Sequence, residues 1–299
     1  MEKLKLGIPK GSLQELTIKI LDKAGYKIFI SSNSRLYSPE IDDPEISVRL
    51  LKPQDMPRFI AEESLDAAIT GKDWLEEYRL ANYEKAKKIY EVCELNYAKQ
   101  GFTMVKWVLA VAEESQIKRV EDLEGKRVAT ELENITKNYF ANKGVNVEVE
   151  FSWGATEVKV PEFVDAIVEL TETGASLKAN GLRIIDTVLE STTIFITNKD
   201  AYRNKWKHKK MEGIIMLMKG VIEAEGKVLI KARYPRDKYE KGLNILKKEA
   251  ITTPSFSLGE NYVIIEGIIN ERNLRLLIPK LKEKGSDLIE VFPISKIIW

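Results

Sequence analysis

Apolar and polar positions along the first 200 residues follow two periods. Short apolar runs such as LKLGI, and LDAAITG ending at Gly71, predict strands, and segments with helical apolar spacing such as SLQELTIKILDKAG follow them. The alternation recurs from Phe102 onward, in FTMVKWVLAV, GKRVAT, ELENITKNYFANKG and VNVEVEF. Repeated β-α-β units of this kind predict two α/β lobes, and the two strands expected in IIDTVLESTTIFITN would return the chain to the first lobe.

The pattern changes after the lysine-rich segment NKDAYRNKWKHKK, so residues 200–211 are predicted to be a linker. Beyond a helix in MEGIIMLMKGVIEAEG, the order strand, helix, two strands, helix, strand is that of a ferredoxin-like domain. Pro279 falls inside the last of these helices and is expected to kink it. We therefore expect an α/β protein with lobe I formed by residues 1–92 and 187–204, lobe II by residues 93–186, and a ferredoxin-like domain by residues 212–299.

Charge and composition exclude several classes of function. The chain has 299 residues, and its 47 basic and 46 acidic side chains nearly cancel, so no global field is available to hold nucleic acid or a membrane surface. No apolar run reaches the roughly 18 residues of a membrane span, and we expect a cytoplasmic protein. One cysteine and one histidine exclude an internal disulfide and a multi-cysteine metal site, and they argue against histidine-based catalysis.

The run DAIVELTETGASLKANGL carries the most specific chemistry. Asp165 and Glu169 lie four residues apart on a predicted strand, so both side chains point to one side, and Glu169 is near the carboxyl end, where α/β sheets bind ligands. The loop that follows offers Gly174, several hydroxyl groups and the amides of a helix start, a combination that suits a phosphate monoester. Together these features predict a ribose 5-phosphate site, whose acids accept hydrogen bonds from ribose hydroxyls or hold a magnesium ion. A solvated strand end followed by an ordinary turn would fit the same residues.

With WGATEVKVPEF before it, this run resembles the signature region of the ATP phosphoribosyltransferase family in its long form. LGIPKGSL, LDAAITGKDWLEE and GKRVAT also match, in the same order, and the resemblance covers essentially the whole chain. It implies transfer of the phosphoribosyl group of phosphoribosyl pyrophosphate to N1 of ATP with release of pyrophosphate, the first step of histidine biosynthesis. It also implies a catalytic region like the two-lobed periplasmic binding proteins and an ACT-like regulatory domain. Because such a displacement passes through a cationic sugar, it needs positioning and charge stabilisation and no protein nucleophile.

The resemblance further implies roles for individual residues. Those expected to bind phosphoribosyl pyrophosphate are Asp165, Glu169, Thr171, Glu172, Thr173, Gly174, Ala175, Ser176 and Leu177. Those expected to line the cleft that admits ATP are Lys10, Gly11, Asp66, Gly71, Thr130 and Glu157. Glu169 is the best candidate for stabilising charge, and with Asp165 it would hold a Mg²⁺ ion that is bound mainly by the substrate. Histidine, the end product, is expected to inhibit by binding at Thr252, Thr253 and Ser255, in homodimers that assemble into a homohexamer.

Three positions depart from the usual family pattern. Ser12 stands where an arginine is frequent, Glu169 replaces an aspartate, and Ser176 replaces a threonine while keeping the hydroxyl. The residues themselves also leave alternatives open. Lys10 and Gly11 could form a solvated turn, and Thr130 could either contact a second phosphate or cap a helix.

The aromatic residues and the class of function leave further alternatives. One of Trp74, Trp107, Tyr139 and Trp153 could stack on adenine, and none is assigned. Two lobes around a cleft also occur in solute-binding proteins, which do no chemistry. A nucleotide-sensing regulator, which would bind ATP without consuming phosphoribosyl pyrophosphate, is the other alternative.

Overall fold

The computed structural model describes residues 2–30, 38–98, 101 and 104–299. In this part of the chain the strands are β1 (Leu4–Pro9), β2 (Ile28–Phe29), β3 (Glu40–Ile41), β4 (Ile46–Leu51), β5 (Ala67–Gly71), β6 (Ile89–Glu94), β7 (Val105–Ala112), β8 (Arg127–Thr130), β9 (Glu148–Phe151), β10 (Ala166–Thr171), β11 (Leu182–Ser191), β12 (Thr193–Asn198), β13 (Lys227–Pro235), β14 (Ser255–Leu258), β15 (Tyr262–Asn270) and β16 (Leu288–Pro293). The α-helices are α1 (Gln14–Ala24), α2 (Met56–Ala61), α3 (Lys72–Ala81), α4 (Tyr83–Ala86), α5 (Glu133–Lys143), α6 (Ala175–Ala179), α7 (Lys199–Arg203), α8 (Lys205–Ala224), α9 (Tyr239–Glu249) and α10 (Leu274–Glu283). Among the described residues, no helix is both long enough and apolar enough to cross a membrane.

Lobe I is built on a five-stranded sheet with the order β4-β1-β5-β12-β6. β1 runs parallel to β4 and β5, whereas β12 runs antiparallel to β5 and β6. The predicted helix after β1 ends, as expected, at Gly25, whose φ of 102° lies in the left-handed region that glycine adopts at low cost. β1 and β5 are almost entirely buried, so their carboxyl ends are held in fixed positions. The loops that follow these strands can therefore present side chains at one edge of the sheet.

Lobe II is built on a second five-stranded sheet with the order β11-β7-β10-β8-β9. β8, β9 and β10 are parallel, and β7 lies antiparallel between β10 and β11. Its core packs around Trp107, Leu109 and Phe140, and helix α5 closes at Gly144 with a φ of 69°, as the pattern predicts. The predicted strand FTMVKWVLAV is found as β7 from Val105, while Phe102 and Thr103 lie outside the described residues.

The boundaries between the two lobes differ from the predicted ones. β11 pairs with β7 as far as Ser191, so the predicted boundary between residues 186 and 187 lies inside a strand of lobe II. The irregularities between Ile184 and Asp186 and between Thr187 and Leu189 allow this pairing to continue over ten residues. At the other boundary, β6 extends to Glu94 in the sheet of lobe I.

The predicted linker at residues 200–211 is wrong, because these residues form α7 and the beginning of α8. Two lysines of this segment lie on α8 and are held by carboxylates of lobe I. Lys207 Nζ lies 2.9 Å from Asp66 Oδ1, and Lys210 Nζ lies 2.6 Å from Asp43 Oδ2. The chain divides into two compact units at residue 215, within α8, which gives a first unit of residues 1–215 and a second of residues 216–299.

The second unit contains a four-stranded antiparallel sheet with the order β14-β15-β13-β16. Helices α9 and α10 cover it, with a core that includes Ile230, Leu246, Ile265 and Leu281. From β13 to β16 the element order is β-α-β-β-α-β, which the apolar pattern predicts, and Pro279 lies inside α10. Buried residues alternate with partly exposed ones along both β13 and β15, so the buried side chains lie on one face of the sheet. Helices α9 and α10 pack on that face.

Candidate active site

A cleft of about 740 Å³ lies between the two lobes. Both lobes line it, mainly through residues at the carboxyl ends of strands and in the loops that follow them: Lys10, Gly11, Ser12, Leu50, Leu51, Lys52, Pro53, Gln54, Asp55, Asp73, Trp74, Trp107, Glu131, Glu169 and Leu170. A smaller cavity of about 190 Å³ shares Asp73, Trp74 and Leu170 with the cleft and adds Gly71 and Glu172. Of the predicted residues, Lys10, Gly11 and Glu169 therefore lie on the main cleft, and Gly71 and Glu172 lie on its extension.

Glu169 is the central acid of the cleft. It lies on β10 opposite Val108 of β7, and its Oε1 accepts a hydrogen bond of 3.0 Å from the N–H of Leu170. Burial raises the pKa of the Glu169 carboxyl to about 7, and repulsion from Glu157 and Glu131 adds to this, against the hydrogen bonds from Leu170 and Thr156. The group therefore changes its charge close to neutral pH, in the position where the sheet meets the cleft.

Asp165, the predicted partner of Glu169, lies at the opposite end of β10. Its Oδ2 accepts a hydrogen bond of 3.0 Å from the N–H of Arg127, and its Oδ1 lies 3.6 Å from Lys126 Nζ. Four residues of extended strand separate the two acids by about 13 Å, so they share a face of the strand without sharing a site. The predicted pairing of Asp165 with Glu169 around sugar or metal is therefore wrong. In the described part of the chain, no group of three or more histidine, cysteine, aspartate or glutamate side chains is arranged to hold a metal ion.

The loop after β10 has the turn geometry that its composition suggests. Gly174 has a φ of 75°, and its N–H donates to Thr171 Oγ1 at 2.7 Å. Helix α6 begins at the next residue, and its first intrahelical hydrogen bond runs from Lys178 N to Gly174 O at 3.0 Å. The amides of Ser176 and Leu177 precede that bond, so they have no intrahelical acceptor.

Glu157 connects this loop to the central acid. Its Oε1 accepts a hydrogen bond of 3.0 Å from Ser176 Oγ, while its charge raises the pKa of Glu169. Leu177, by contrast, is buried in the core of lobe II and anchors the loop with its side chain. The structure thus brings Glu157, Glu169 and the predicted phosphate loop together, as neighbours at one edge of lobe II.

Asp66 does not reach the cleft. It lies at the amino end of β5, where its carboxylate accepts hydrogen bonds from Lys5 N at 2.8 Å and Lys207 Nζ at 2.9 Å. Its predicted role in the cleft is wrong because the cleft lies at the carboxyl end of the same strand. Gly71, at that end, does line the smaller cavity.

Thr130 and the start of α5 are also occupied by structural contacts. Thr130 is fully buried, and its Oγ1 accepts a hydrogen bond of 3.1 Å from Leu132 N. The carboxylate of Glu77, on α3 of lobe I, accepts hydrogen bonds of 2.9 Å from the N–H groups of both Asn134 and Ile135. A carboxylate already occupies this helix start, and the Thr130 hydroxyl contacts the residue before the helix, so the structure supports neither phosphate binding nor a side-chain cap of α5 by Thr130.

Two acids of the cleft were missed in the sequence. Asp73 is fully buried, burial raises its pKa, and its carboxylate accepts hydrogen bonds from Trp107 Nε1 at 2.7 Å and Trp74 N at 2.9 Å. Burial also raises the pKa of Glu131, against hydrogen bonds from the Gly154 N–H and the Gln54 side chain. Glu131 directly follows the carboxyl end of a predicted strand and Asp73 lies two residues after one, and that position is the signal that could have identified them.

The residues predicted to bind histidine lie in the second unit, before and at the start of β14. Thr253 and Ser255 are exposed, Thr252 is half-buried, and Ser255 Oγ donates to Glu266 Oε1 at 3.0 Å. β14 is an edge strand that pairs only with β15 within the described residues. Its outer edge therefore exposes backbone N–H and C=O groups that no strand of the described residues pairs with.

Comparisons with known proteins identify the family. The HisG family, described as ATP phosphoribosyltransferase, matches residues 52–220. The chain is 52% identical over 295 residues to an ATP phosphoribosyltransferase of Thermodesulfovibrio yellowstonii, covering 99% of this chain and 98% of that protein. It is 48% identical over 299 residues to one of Chlorobaculum parvum, covering 99% of this chain and 97% of that protein. Among solved structures, a chain of the ATP phosphoribosyl transferase (HisG:HisZ) complex from Thermotoga maritima matches with a TM-score of 0.58 and 27% identity, over 72% of this chain and 98% of that chain. The resemblance seen in the motifs is therefore confirmed, and the chain belongs to the ATP phosphoribosyltransferase family.

Proposed function

We propose that this chain joins ATP, through N1 of its adenine, to the anomeric carbon of phosphoribosyl pyrophosphate in the cleft between its lobes, and releases pyrophosphate. In this family the reaction is the first step of histidine biosynthesis. The position of Glu169 carries the proposal for the site. Glu169 lies near the C-terminal end of β10 and lines a cleft of about 740 Å³. The loop of residues 171–177 begins two residues after it.

Charge stabilisation by Glu169 would suit this reaction. The carbon under attack becomes cationic as pyrophosphate leaves, so a fixed carboxylate nearby stabilises the transition state more than the ground state. Glu157 fixes the geometry, since it holds Ser176 of the loop by a hydrogen bond of 3.0 Å. The single histidine, His208, lies on α8 and contacts the carbonyl of Tyr202 and the carboxylate of Glu212, so it takes no part.

The loop of residues 171–177 would hold the 5-phosphate of the sugar. Gly174 keeps the backbone open for close approach, and the amides of Ser176 and Leu177 at the start of α6 are donors for phosphate oxygens. Thr173 adds a hydroxyl group, and Ser176 retains one where the family has threonine. Lys10 and Gly11, at the carboxyl end of β1, would reach the phosphates from lobe I.

Magnesium fits the donor set at this edge of the cleft. Mg²⁺ prefers oxygen ligands and usually keeps one or two protein carboxylates beside substrate phosphates, and Glu169 and Glu157 supply such oxygens. Asp165 is excluded from this role by its position. A bound Mg²⁺ ion would neutralise charge on the diphosphate as it leaves. The protein residues themselves bind and orient the sugar.

The decisive experiment is to incubate the chain with ATP, phosphoribosyl pyrophosphate and magnesium. We expect pyrophosphate and phosphoribosyl-ATP in equal amounts, and neither product when one substrate is omitted. A solute-binding protein or a nucleotide-sensing regulator would bind a ligand and form no phosphoribosyl-ATP, so its absence would contradict the proposal.

We further propose that residues 216–299 form an ACT-like regulatory domain that binds histidine near Thr252, Thr253 and Ser255. The support is the β-α-β-β-α-β order and the exposed edge strand β14, which could pair between subunits of a homodimer and, through it, of a homohexamer. Inhibition requires that histidine bind a less active arrangement more tightly than the active one. Within the catalytic region, the structure supports a lobe division at Thr192 in place of residue 187.

A further inference from the structure

An exposed tryptophan stands at the rim of the cleft. Trp153 has 65% of its surface exposed, which is high for so large an aromatic side chain. The ammonium of Lys52 lies 3.7 Å from the centroid of its indole ring. Lys52 lines the cleft from lobe I, whereas Trp153 follows β9 in lobe II. The two residues therefore meet across the mouth of the cleft.

The turn that carries Trp153 is fixed at both ends. Ser152 N donates to Thr130 O at 2.9 Å, and the buried hydroxyl groups of Ser152 and Thr156 lie 3.1 Å apart. Between these anchors, Gly154 and Ala155 have φ values of 74° and 51°, both left-handed. An indole presented on so constrained a turn loses little conformational freedom when a ligand stacks on it.

Beside this indole, the polar groups of the cleft suit a base that carries an amino group. The Gln54 side chain and the N–H of Gly154, next to Trp153 in the chain, both act on the carboxylate of Glu131 and oppose the rise in its pKa. The amide oxygen of Gln54, Oε1, is buried and has no hydrogen-bond partner within the described part of the chain. Such an acceptor calls for a donor from a ligand. The exocyclic amine of adenine is such a donor, and using it leaves N1 free.

The other aromatic candidates are held by contacts within the protein. Trp107 is 2% exposed and packs in the core of lobe II, with its Nε1 bound to Asp73. Trp74 packs edge-on against Trp107, with ring centroids 6.0 Å apart. Tyr139 binds Asp186 and lines a separate cavity between α3 and α5. Trp74 and Trp107 line the cleft but are held in this edge-on pair, so Trp153, which contacts Lys52 at the rim, is the most exposed of the four rings.

We propose that the adenine of ATP stacks on Trp153 and donates its exocyclic amine to Gln54 Oε1, while Lys52, which covers the indole in the free protein, moves to the triphosphate. The exchange replaces one cation–π contact by a stacked base and a charge-assisted hydrogen bond. This inference rests on the proposed function, because it assigns the base-binding part of the same cleft. The charge of Glu131 acts on Glu169, so the proposed base site adjoins the loop that is proposed to hold the sugar phosphate.

Calorimetric binding of ATP to full-length variants tests the stacking. Trp153→Ala should weaken ATP binding about 10- to 100-fold, the range of base–aromatic stacking. Trp153→Phe should restore it to within about threefold, because a ring is kept. Phe163→Ala, which removes another exposed aromatic ring of lobe II, is the matched control and should change nothing. Binding of phosphoribosyl pyrophosphate should stay within about twofold of wild type in all three. Unchanged ATP binding by Trp153→Ala would overturn the stacking.

A nucleotide without the amine tests the second contact. Wild type should bind ATP at least about tenfold more tightly than purine riboside triphosphate, and Gln54→Met should bring that ratio close to one, because its thioether cannot accept the amine well. An unchanged ratio in Gln54→Met would overturn the contact. These binding measurements need no turnover. A wild-type protein that binds ATP through Trp153 but forms no phosphoribosyl-ATP would refute the proposed reaction and retain this inference.

Discussion

Replacing Glu169 by glutamine should make the free protein more stable and the enzyme slower. Burial holds the pKa of the folded carboxyl at about 7, above the 4.5 of an unperturbed glutamate, so the folded state binds this proton more tightly than the unfolded state does. The free energy of unfolding therefore falls as the pH rises from about 4.5 to about 7, and the full loss is present above pH 7. At 1.36 kcal/mol for each unit of pKa, that loss is about 3 kcal/mol.

Glutamine keeps the shape of the side chain and an oxygen for the N–H of Leu170, and its amide can donate to the neighbouring acids. At pH 8 we expect Glu169→Gln to raise the free energy of unfolding by about 1 to 3 kcal/mol, and at pH 5 we expect most of this gain to disappear. Turnover should fall at least about tenfold, because the amide cannot stabilise a cationic sugar.

Urea unfolding at pH 5 and pH 8, followed by tryptophan fluorescence, measures the stability, and the coupled pyrophosphate assay measures the rate. Glu162→Gln, at an exposed position of lobe II, is the control and should change neither. A stability difference that is equal at both pH values would refute the assignment of a buried carboxyl group with a raised pKa. A wild-type rate would refute the charge-stabilising role.

Three further predictions test the roles of Gly174 and Asp165 and the inhibition by histidine. Gly174→Val should abolish turnover, and Gly174→Ala should reduce it strongly. The control Gly144→Ala places the same methyl group at a left-handed position with open space around it, so it should cost a similar stability, about 1 to 2 kcal/mol, and leave KM for phosphoribosyl pyrophosphate unchanged. Equal kinetic effects at both glycines would contradict the proposed phosphate loop. Asp165→Asn should leave kcat and KM within about twofold of wild type, because this acid lies at the far end of β10, and a large rise in KM would show that it reaches the substrate after all. Histidine at millimolar concentration or below should inhibit without competing with phosphoribosyl pyrophosphate, and calorimetry that detects no histidine binding to the intact chain, with or without substrates, would exclude the regulatory role.

Much of the architecture could be read from local sequence, because each element depends on nearby residues. The periods of apolar residues predicted both α/β lobes and the β-α-β-β-α-β unit, and glycines in left-handed positions marked the ends of α1 and α5. The loop around Gly174 was predictable for the same reason: a φ of 75° and a hydrogen bond from its own N–H to Thr171 are properties of a few consecutive residues.

The tertiary structure alone decided which acids meet. Asp165 and Glu169 are neighbours in sequence and share a strand face, yet strand length places them at opposite ends of β10. The companions of Glu169 are Glu157 and Glu131, which come from separate loops and meet at one sheet edge. Alternation along a strand determines the face on which a side chain lies. Only the pairing of strands determines which end of each strand faces the cleft.

The lysine-rich segment before the second unit shows the same limit. Its polar composition predicted a linker. The carboxylates that hold Lys207 and Lys210 lie more than 140 residues away in the chain, so the local sequence could not show that they stabilise the helix. Sequence by itself determined the elements, the turn at Gly174 and the family. Long-range pairing of strands and charges decided the lobe boundaries, the position of Asp66 and the set of acids at the cleft, because these contacts join residues that lie far apart along the chain.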